Sequence, residues 1–365
     1  MIKVALIGLG KMGISHLSII NAHPGVDLVA VCDPVGLLVE GITKHTGIAS
    51  YTDYKQLLAK EPLDAVFVAT PSKFHGEIVK AALDKGLHVF CEKPFCLDLA
   101  EGEALAKQAE DAGLVNQIGY HYRFVGAFQE VKRLVDAGAI GEVHHVRAEA
   151  YGPVVLRPKG STWRSKRQEG GGCLYDYASH GIDLLNFIVG APSSVGGTVL
   201  NRLFSADVDD EVYSTLHYPN GMSGQVAANW SDESFRKMSM KIIIWGKAGR
   251  IQADRQEVQI YLRDPAKAKA LGLNLGWNVK YTTELTEEVW FYLRGEEYSA
   301  QIDHFVKAIE TGGQTVSPFR SGVATDAVAA MMIADAAGAP QPSRQAAAPA
   351  RPGGLSSILP WGKKA

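Results

Sequence analysis

From residue 1 to about residue 120, short apolar runs alternate with stretches whose apolar positions recur at helical spacing. The runs Ile2 to Ile7, Val26 to Cys32, Asp64 to Ala69 and Leu87 to Cys91 are rich in Val, Ile, Ala and Phe and lack polar alternation. That is the pattern of parallel strands covered on both faces. Met12 to Ala22, Val35 to Thr46, Tyr54 to Lys60, Lys73 to Lys85 and Leu99 to Ala112 carry the helical spacing. The repeat predicts an α/β fold with a doubly wound parallel sheet.

Beyond residue 120 the runs lengthen and several alternate polar with apolar: Val143 to Tyr151, Val195 to Leu200, Val212 to Tyr218, Met222 to Trp230, Met238 to Trp245 and Val258 to Leu262. Turn signals at Pro219-Asn220-Gly221 and Gly246-Lys247-Ala248-Gly249 separate some of them, as in an open, mostly antiparallel sheet. Helical stretches at Phe128 to Ala137, Asp176 to Val189, Tyr298 to Thr311 and Gly322 to Ala337 are expected on one face of that sheet, giving an α+β second domain. From residue 339 onward Ala, Pro, Gly, Gln and Ser dominate, a composition that buries too little apolar surface to offset its ordering entropy. The predicted organisation is residues 1–120, 121–338 and a disordered tail, 339–365. Within the tail, Leu355, Ile358, Leu359 and Trp361 read as a docking motif or as a sticky end.

Composition narrows the functional classes. The chain has 365 residues, 46% of them apolar, which suits two domains better than one. A net charge of -2 supplies no overall field to recruit nucleic acid or an anionic membrane, so neither is expected as a partner. Cys32, Cys91, Cys96 and Cys173 form no CxxC pair, so no disulfide, structural zinc or other metal site is expected. The opening MIKVALIGLG enters a strand directly, with no charged leader or membrane-length apolar stretch, and the expectation is a soluble cytoplasmic protein.

The chemistry begins at Gly8-Leu9-Gly10-Lys11-Met12-Gly13, between a strand and a helix, with Asp33 at the end of the next strand. Gly8 permits the tight turn, Gly10 lets backbone approach a pyrophosphate, and Gly13 lets the helix pack closely on the strand. Asp33 would accept hydrogen bonds from the adenosine ribose and repel a 2′-phosphate, which favours NAD over NADP. Two later strands stop at proline, in Ala69-Thr70-Pro71 and Glu92-Lys93-Pro94. This sets Thr70 and Lys93 at the carboxyl edge of the sheet, where ligands of open α/β sheets lie.

A second constellation follows Gly170-Gly171-Gly172. Asp176, His180 and Asp183 are spaced to share a helix face, and the flanking carboxylates are expected to raise the His180 pKa. A helix start with a structurally satisfied histidine is the plainer alternative, and Asp183 is explained equally well as a structural partner. Arg157, Lys159, Arg164, Lys166 and Arg167 form a basic loop ahead of this helix, opposed only by Glu169. Lys166 and Arg167 would grip an anionic handle on a substrate, unless the loop is merely solvated or serves the cofactor pyrophosphate. Arg123 would line the same cleft or tie the two domains together. Tyr51 and Lys55 match the YxxxK spacing of short-chain dehydrogenases, but follow the second strand, too early for that site, and are set aside.

With the glycine cradle, Glu92-Lys93-Pro94 and the Asp176…His180 helix in that order, residues 1 to 338 resemble the Gfo/Idh/MocA oxidoreductase family. The resemblance implies an N-terminal Rossmann domain, a C-terminal α/β domain with an open, mostly antiparallel sheet, and NAD(P)-linked chemistry on sugars, sugar nucleotides, inositols and related polyols. It implies catalytic roles for Lys93, Asp176 and His180, and cofactor-side positions at Thr70, Pro71, His75, Glu92, Trp163 and Arg164. It further implies a homodimer or homotetramer formed through the open face of the second sheet. His180 would act as general base while protonated Lys93 stabilises the developing alkoxide, or the two roles are exchanged. Two alternatives remain: an NAD-dependent glycoside hydrolase of the same fold, and a catalytically idle NAD-binding sensor or scaffold.

Overall fold

The computed structural model describes residues 1–158 and 162–338. Lys159 of the basic loop, and the tail with Leu355, Ile358, Leu359 and Trp361, lie outside the described residues.

The first 120 residues form a six-stranded sheet from β1 (Ile2–Ile7), β2 (Val26–Cys32), β3 (Ala49–Tyr51), β4 (Ala65–Val68), β5 (His88–Cys91) and β6 (Asn116–Ile118), in the order β3-β2-β1-β4-β5-β6. Every pairing is parallel. The winding reverses between β1 and β4, so the connections leaving these two strands diverge and open a crevice at their carboxyl ends. β3 and β6, three residues each, are too short to register as apolar runs and were not anticipated. The Tyr51–Lys55 segment is structural: Tyr51 donates to Glu61 Oε1 at 2.5 Å, and the Asp53 carboxylate caps the helix Tyr54–Lys60.

The second sheet contains β7 (Val143–Tyr151), β8 (Ser194–Asn201), β9 (Glu211–His217), β10 (Ser223–Asn229), β11 (Ser239–Gly246), β12 (Gly249–Ala253), β13 (Glu257–Leu262) and β14 (Gly276–Tyr281), ordered β14-β13-β12-β11-β7-β10-β9-β8. All neighbours are antiparallel except β10 and β7. Val146, Ala148, Ala150, Ile242, Ile244 and Val226 bury one face against the helices Gly126–Asp136 and Ser179–Val189, as period-2 alternation requires. Among the described residues, no helix packs on the other face.

Two helices depart from the expectation that all four late helices cover the second sheet. Glu296–Thr311 packs on the first sheet: Ile302, Phe305 and Val306 share a core with Val4, Leu6, Phe67 and Phe90, and the Phe305 ring meets Phe67 edge-on at 5.4 Å. Phe319–Ala336 spans both domains, with Phe319 stacked on Phe95 at 4.3 Å and Val328 to Met332 in the second core. An amphipathic stripe shows that a helix must bury a face, but does not specify against which sheet. The four cysteines are buried free thiols. Among the described residues, no helix is long and apolar enough to cross a membrane.

Candidate active site

The glycine cradle is built by steric exclusion. Gly8 has φ +99°, and a Cβ there would lie 2.6 Å from the Ala69 carbonyl; a Cβ on Gly13 would lie 1.9 Å from Gly8 O. A Cβ on Gly10 meets nothing within 4 Å, and Gly10 caps the helix Lys11–Asn21 without any side-chain hydrogen bond. No side chain caps the first backbone N–H groups of that helix, which leaves them available to a pyrophosphate. Asp33 fixes the surrounding turns, accepting from Leu9 N–H at 2.8 Å and Val35 N–H at 3.0 Å. At the end of β4 the Thr70 hydroxyl is buried with no hydrogen-bond partner among the described residues. Open helix terminus, Asp33 and this hydroxyl together fit an NAD molecule.

At the end of β5, Lys93 donates to Asp176 Oδ1 at 2.9 Å and to the Asp176 carbonyl at 3.0 Å. Arg164 Nε donates to the other carboxylate oxygen at 3.1 Å, and its guanidinium lies over the Trp163 ring at 4.6 Å. Burial alone would raise the Asp176 pKa; the Lys93 and Arg164 charges outweigh it and hold the carboxyl below its ordinary range. Trp163 thus acts on the cleft through Arg164. Glu92 is buried, accepting from Lys93 N–H at 3.2 Å with its other oxygen 2.6 Å from His16 Nε2. Burial opposes its ionisation, but the His16 hydrogen bond prevails and the carboxyl titrates low.

Three sequence expectations are corrected or decided here. His75 is buried and absent from the cleft wall; its ring nitrogens lie 2.8 Å from Pro94 O and 3.0 Å from Thr70 O, bracing the two strand ends. Burial lowers its pKa, and a neutral ring donates to only one of these carbonyls at a time. For Arg123 and Asp183, each read as a cleft group or a structural one, the structure favours the structural alternative, and neither lines the cleft. They form a buried bidentate ion pair at 2.8 and 2.5 Å, and Arg123 also donates to Val316 O at 2.5 Å. Lys166 and Arg167 are exposed and outside the cleft: Lys166 pairs with Glu169 at 3.3 Å, on the side where Lys73 also reaches Glu169 at 3.1 Å.

The helix that carries Asp176 and His180 also differs from an ideal one. Residues Leu174–Ala178 form a π-helical turn before the helix Ser179–Val189, so the assumption of 3.6 residues per turn fails there. Asp176 points to Lys93, Asp183 to Arg123, and His180 sits among Tyr120, His121 and Tyr122 at ring-centroid distances of 5.9, 4.9 and 5.1 Å. The His180 pKa is therefore lowered well below the ordinary value, not raised. Burial is the main cause, and the Lys93 charge adds to it. Its Nδ1 is buried without a hydrogen-bond partner among the described residues.

A cleft of about 1220 Å³ joins these groups: Lys11 and Met12 of the cradle, Lys93, Asp176 and His180 all line it. His121 and Tyr298 line it too, stacked at 4.5 Å with Tyr298 Oη 3.4 Å from His121 Nε2. Sequence reasoning missed both. His121 stands in the same Gly119 to Arg123 segment from which the arginine was chosen, and Tyr298 begins the helix that was assigned to the wrong sheet.

The oxidoreductase family GFO/IDH/MocA, with its NAD-binding Rossmann fold, matches residues 2–120, and the GFO/IDH/MocA C-terminal domain matches residues 128–252. The chain is 29% identical over 236 residues to scyllo-inositol 2-dehydrogenase (NAD(+)) of Bacillus subtilis, covering 62% of this chain and 67% of that protein. It is 27% identical over 341 residues to inositol 2-dehydrogenase of Rhizobium meliloti, covering 92% and 96%. A levoglucosan dehydrogenase solved in complex with NADH superposes with TM-score 0.82 at 26% identity, covering 92% of this chain and 97% of that one.

Proposed function

Since the chain belongs to the Gfo/Idh/MocA oxidoreductases and is an NAD-dependent oxidoreductase of the sugar and polyol class, we propose that Lys93 and His180 are its acid–base pair. The observation that carries this is their convergence, with Asp176, on the cleft that also holds Lys11 and Met12 of the cradle. When bound, the nicotinamide supplies the hydride acceptor. The alcohol proton must leave as negative charge develops on oxygen. His180, kept neutral by burial and by the Lys93 charge, is free to accept that proton. Lys93, oriented by Asp176, donates to the developing alkoxide and in reverse polarises the carbonyl. Asp176 and Arg164 are the groups that orient Lys93. Asp33, followed by the uncharged Pro34, supports NAD over NADP.

The reading includes a homo-oligomer built on the uncovered sheet face. Lys280 of β14 reaches Glu130 of the helix layer at 2.8 Å, so the alternate residues Trp277, Val279 and Tyr281 project from the other face, where they are exposed. Four buried thiols suit a reducing cytoplasm. The test is appearance of reduced-nicotinamide absorbance with a panel of inositols, free sugars, uronates and sugar nucleotides. Net NADH accumulation on one class is expected. Glycoside cleavage without it would transfer the site to the hydrolase reading, and NAD binding with neither would leave a sensor.

A further inference from the structure

The cleft has an imbalance of charge that the acid–base chemistry does not use. Four acids line it, and each is held by the protein: Glu92 by His16, Glu149 by Arg147, Asp176 by Lys93 and Arg164, and Asp254 by the backbone N–H groups of Gln256 and Glu257. The basic side chains of the cleft are differently placed. Arg236, Lys237 and Arg294 line it with no carboxylate in ion-pair distance among the described residues. A chain of net charge -2 thus gathers unpaired positive charge in one cleft, and such a cleft focuses anions.

Two arginines there are preset for a planar anion. Arg255, on the turn between β12 and β13, is held from behind by the buried Glu297, and its guanidinium lies over the Tyr122 ring at 5.9 Å. Arg294 adopts φ +67°, uncommon for a residue with a Cβ, and its guanidinium lies over Tyr298 at 5.3 Å. Tyr298 stacks on His121, which abuts His180. Supported guanidinium groups lose little freedom on accepting a carboxylate or phosphate in bidentate fashion.

We infer that the substrate is an anionic sugar, whose carboxylate or phosphate is held by Arg255 and Arg294 while its reacting hydroxyl meets Lys93 and His180. The inference rests on the dehydrogenase reading for the second half of that statement, and moves the anion grip from Lys166 and Arg167, which lie outside the cleft, to arginines that line it. The full chain saturated with NADH is heated with galacturonate, galactose 6-phosphate, galactose or myo-inositol at equal concentration, at low and high salt. Wild type is compared with Arg294→Gln and Arg255→Gln, the exposed Arg294 being the safer for folding. An anionic sugar should raise Tm where the neutral ones do not, with apparent affinity falling about tenfold or more in either variant and also with salt. A response to galacturonate alone identifies a carboxylate, and to the phosphate alone a phosphoryl group; either supports the inference. Equal stabilisation by galactose or myo-inositol, no stabilisation by either anion, or variants that weaken only NADH binding would overturn it. Turnover of neutral sugars alone would overturn the inference and leave the dehydrogenase reading intact. Anion binding without nicotinamide reduction would do the reverse.

Discussion

Asp183→Asn should cost stability and leave substrate recognition alone. The carboxylate accepts two hydrogen bonds from Arg123, at 2.8 and 2.5 Å, and the side chains are only 4% and 1% exposed. Arg123 reaches Val316 O and Thr325 Oγ1 lies 3.4 Å from Asp183, so the pair ties the residue 121–124 turn, the helix Ser179–Val189 and the last helix together. Burial pushes the Asp183 carboxyl above its ordinary range despite the guanidinium beside it, which fits a pair shielded from water. Removing one charge leaves a buried guanidinium uncompensated, a loss of about 3–5 kcal/mol. At roughly 1.3 °C per kcal/mol for a chain of 365 residues, the fall in Tm is about 4–7 °C. Replacing both partners by Arg123→Met and Asp183→Leu should recover much of the loss, because no unpaired charge remains. The assay is thermal unfolding of the apo protein, with substrate KM measured well below the transition. A single variant with unchanged Tm and a strongly raised KM would refute the structural assignment and return Arg123 and Asp183 to the substrate site.

Further outcomes follow from the cradle and from one buried carboxyl. Gly10→Ala should leave apo stability nearly unchanged and weaken NADH binding, read by protein-fluorescence quenching, because its Cβ enters the open space the cofactor backbone would fill. Gly13→Ala should instead lower Tm, since its Cβ would lie 1.9 Å from Gly8 O. Asp326, buried and accepting from Cys96 N–H at 3.1 Å, has its pKa pushed up from 3.8 to about 7 by burial. Between those values the folded protein holds a proton that the unfolded chain does not, so stability falls as pH rises through that window, by up to about 4 kcal/mol, and levels off above it. Asp326→Asn should flatten this slope in Tm-against-pH curves; an unaltered slope would rule the carboxyl out as its source.

What the sequence revealed were the parts fixed by local constraint. Gly8 and Gly13 are legible because any larger side chain strikes backbone, and Lys93 because the apolar run of β5 ends beside it. What it hid depends on partners distant in the chain or on non-ideal turns. For Arg123 the sequence left a choice between the cleft and a tie between domains, which only its pairing with Asp183, sixty residues away, decides. The π-helical turn over Leu174–Ala178 breaks the regular spacing between Asp176 and His180, and the burial of His180, which lowers its pKa, is a tertiary fact the spacing does not carry. The helix Glu296–Thr311 carries its amphipathic pattern plainly, but its docking against Phe67 and Phe90 is a tertiary fact. That docking brings Tyr298 against His121.

The central claim is that Lys93 and His180 act on one reacting hydroxyl. Single-turnover hydride transfer, measured at saturating NAD with the substrate found in the panel, tests it most directly in Lys93→Met and His180→Ala. Each variant should bind NADH as the wild type does and transfer hydride slower by about a hundredfold or more. Near-normal transfer in both, with the cofactor bound, would contradict the account.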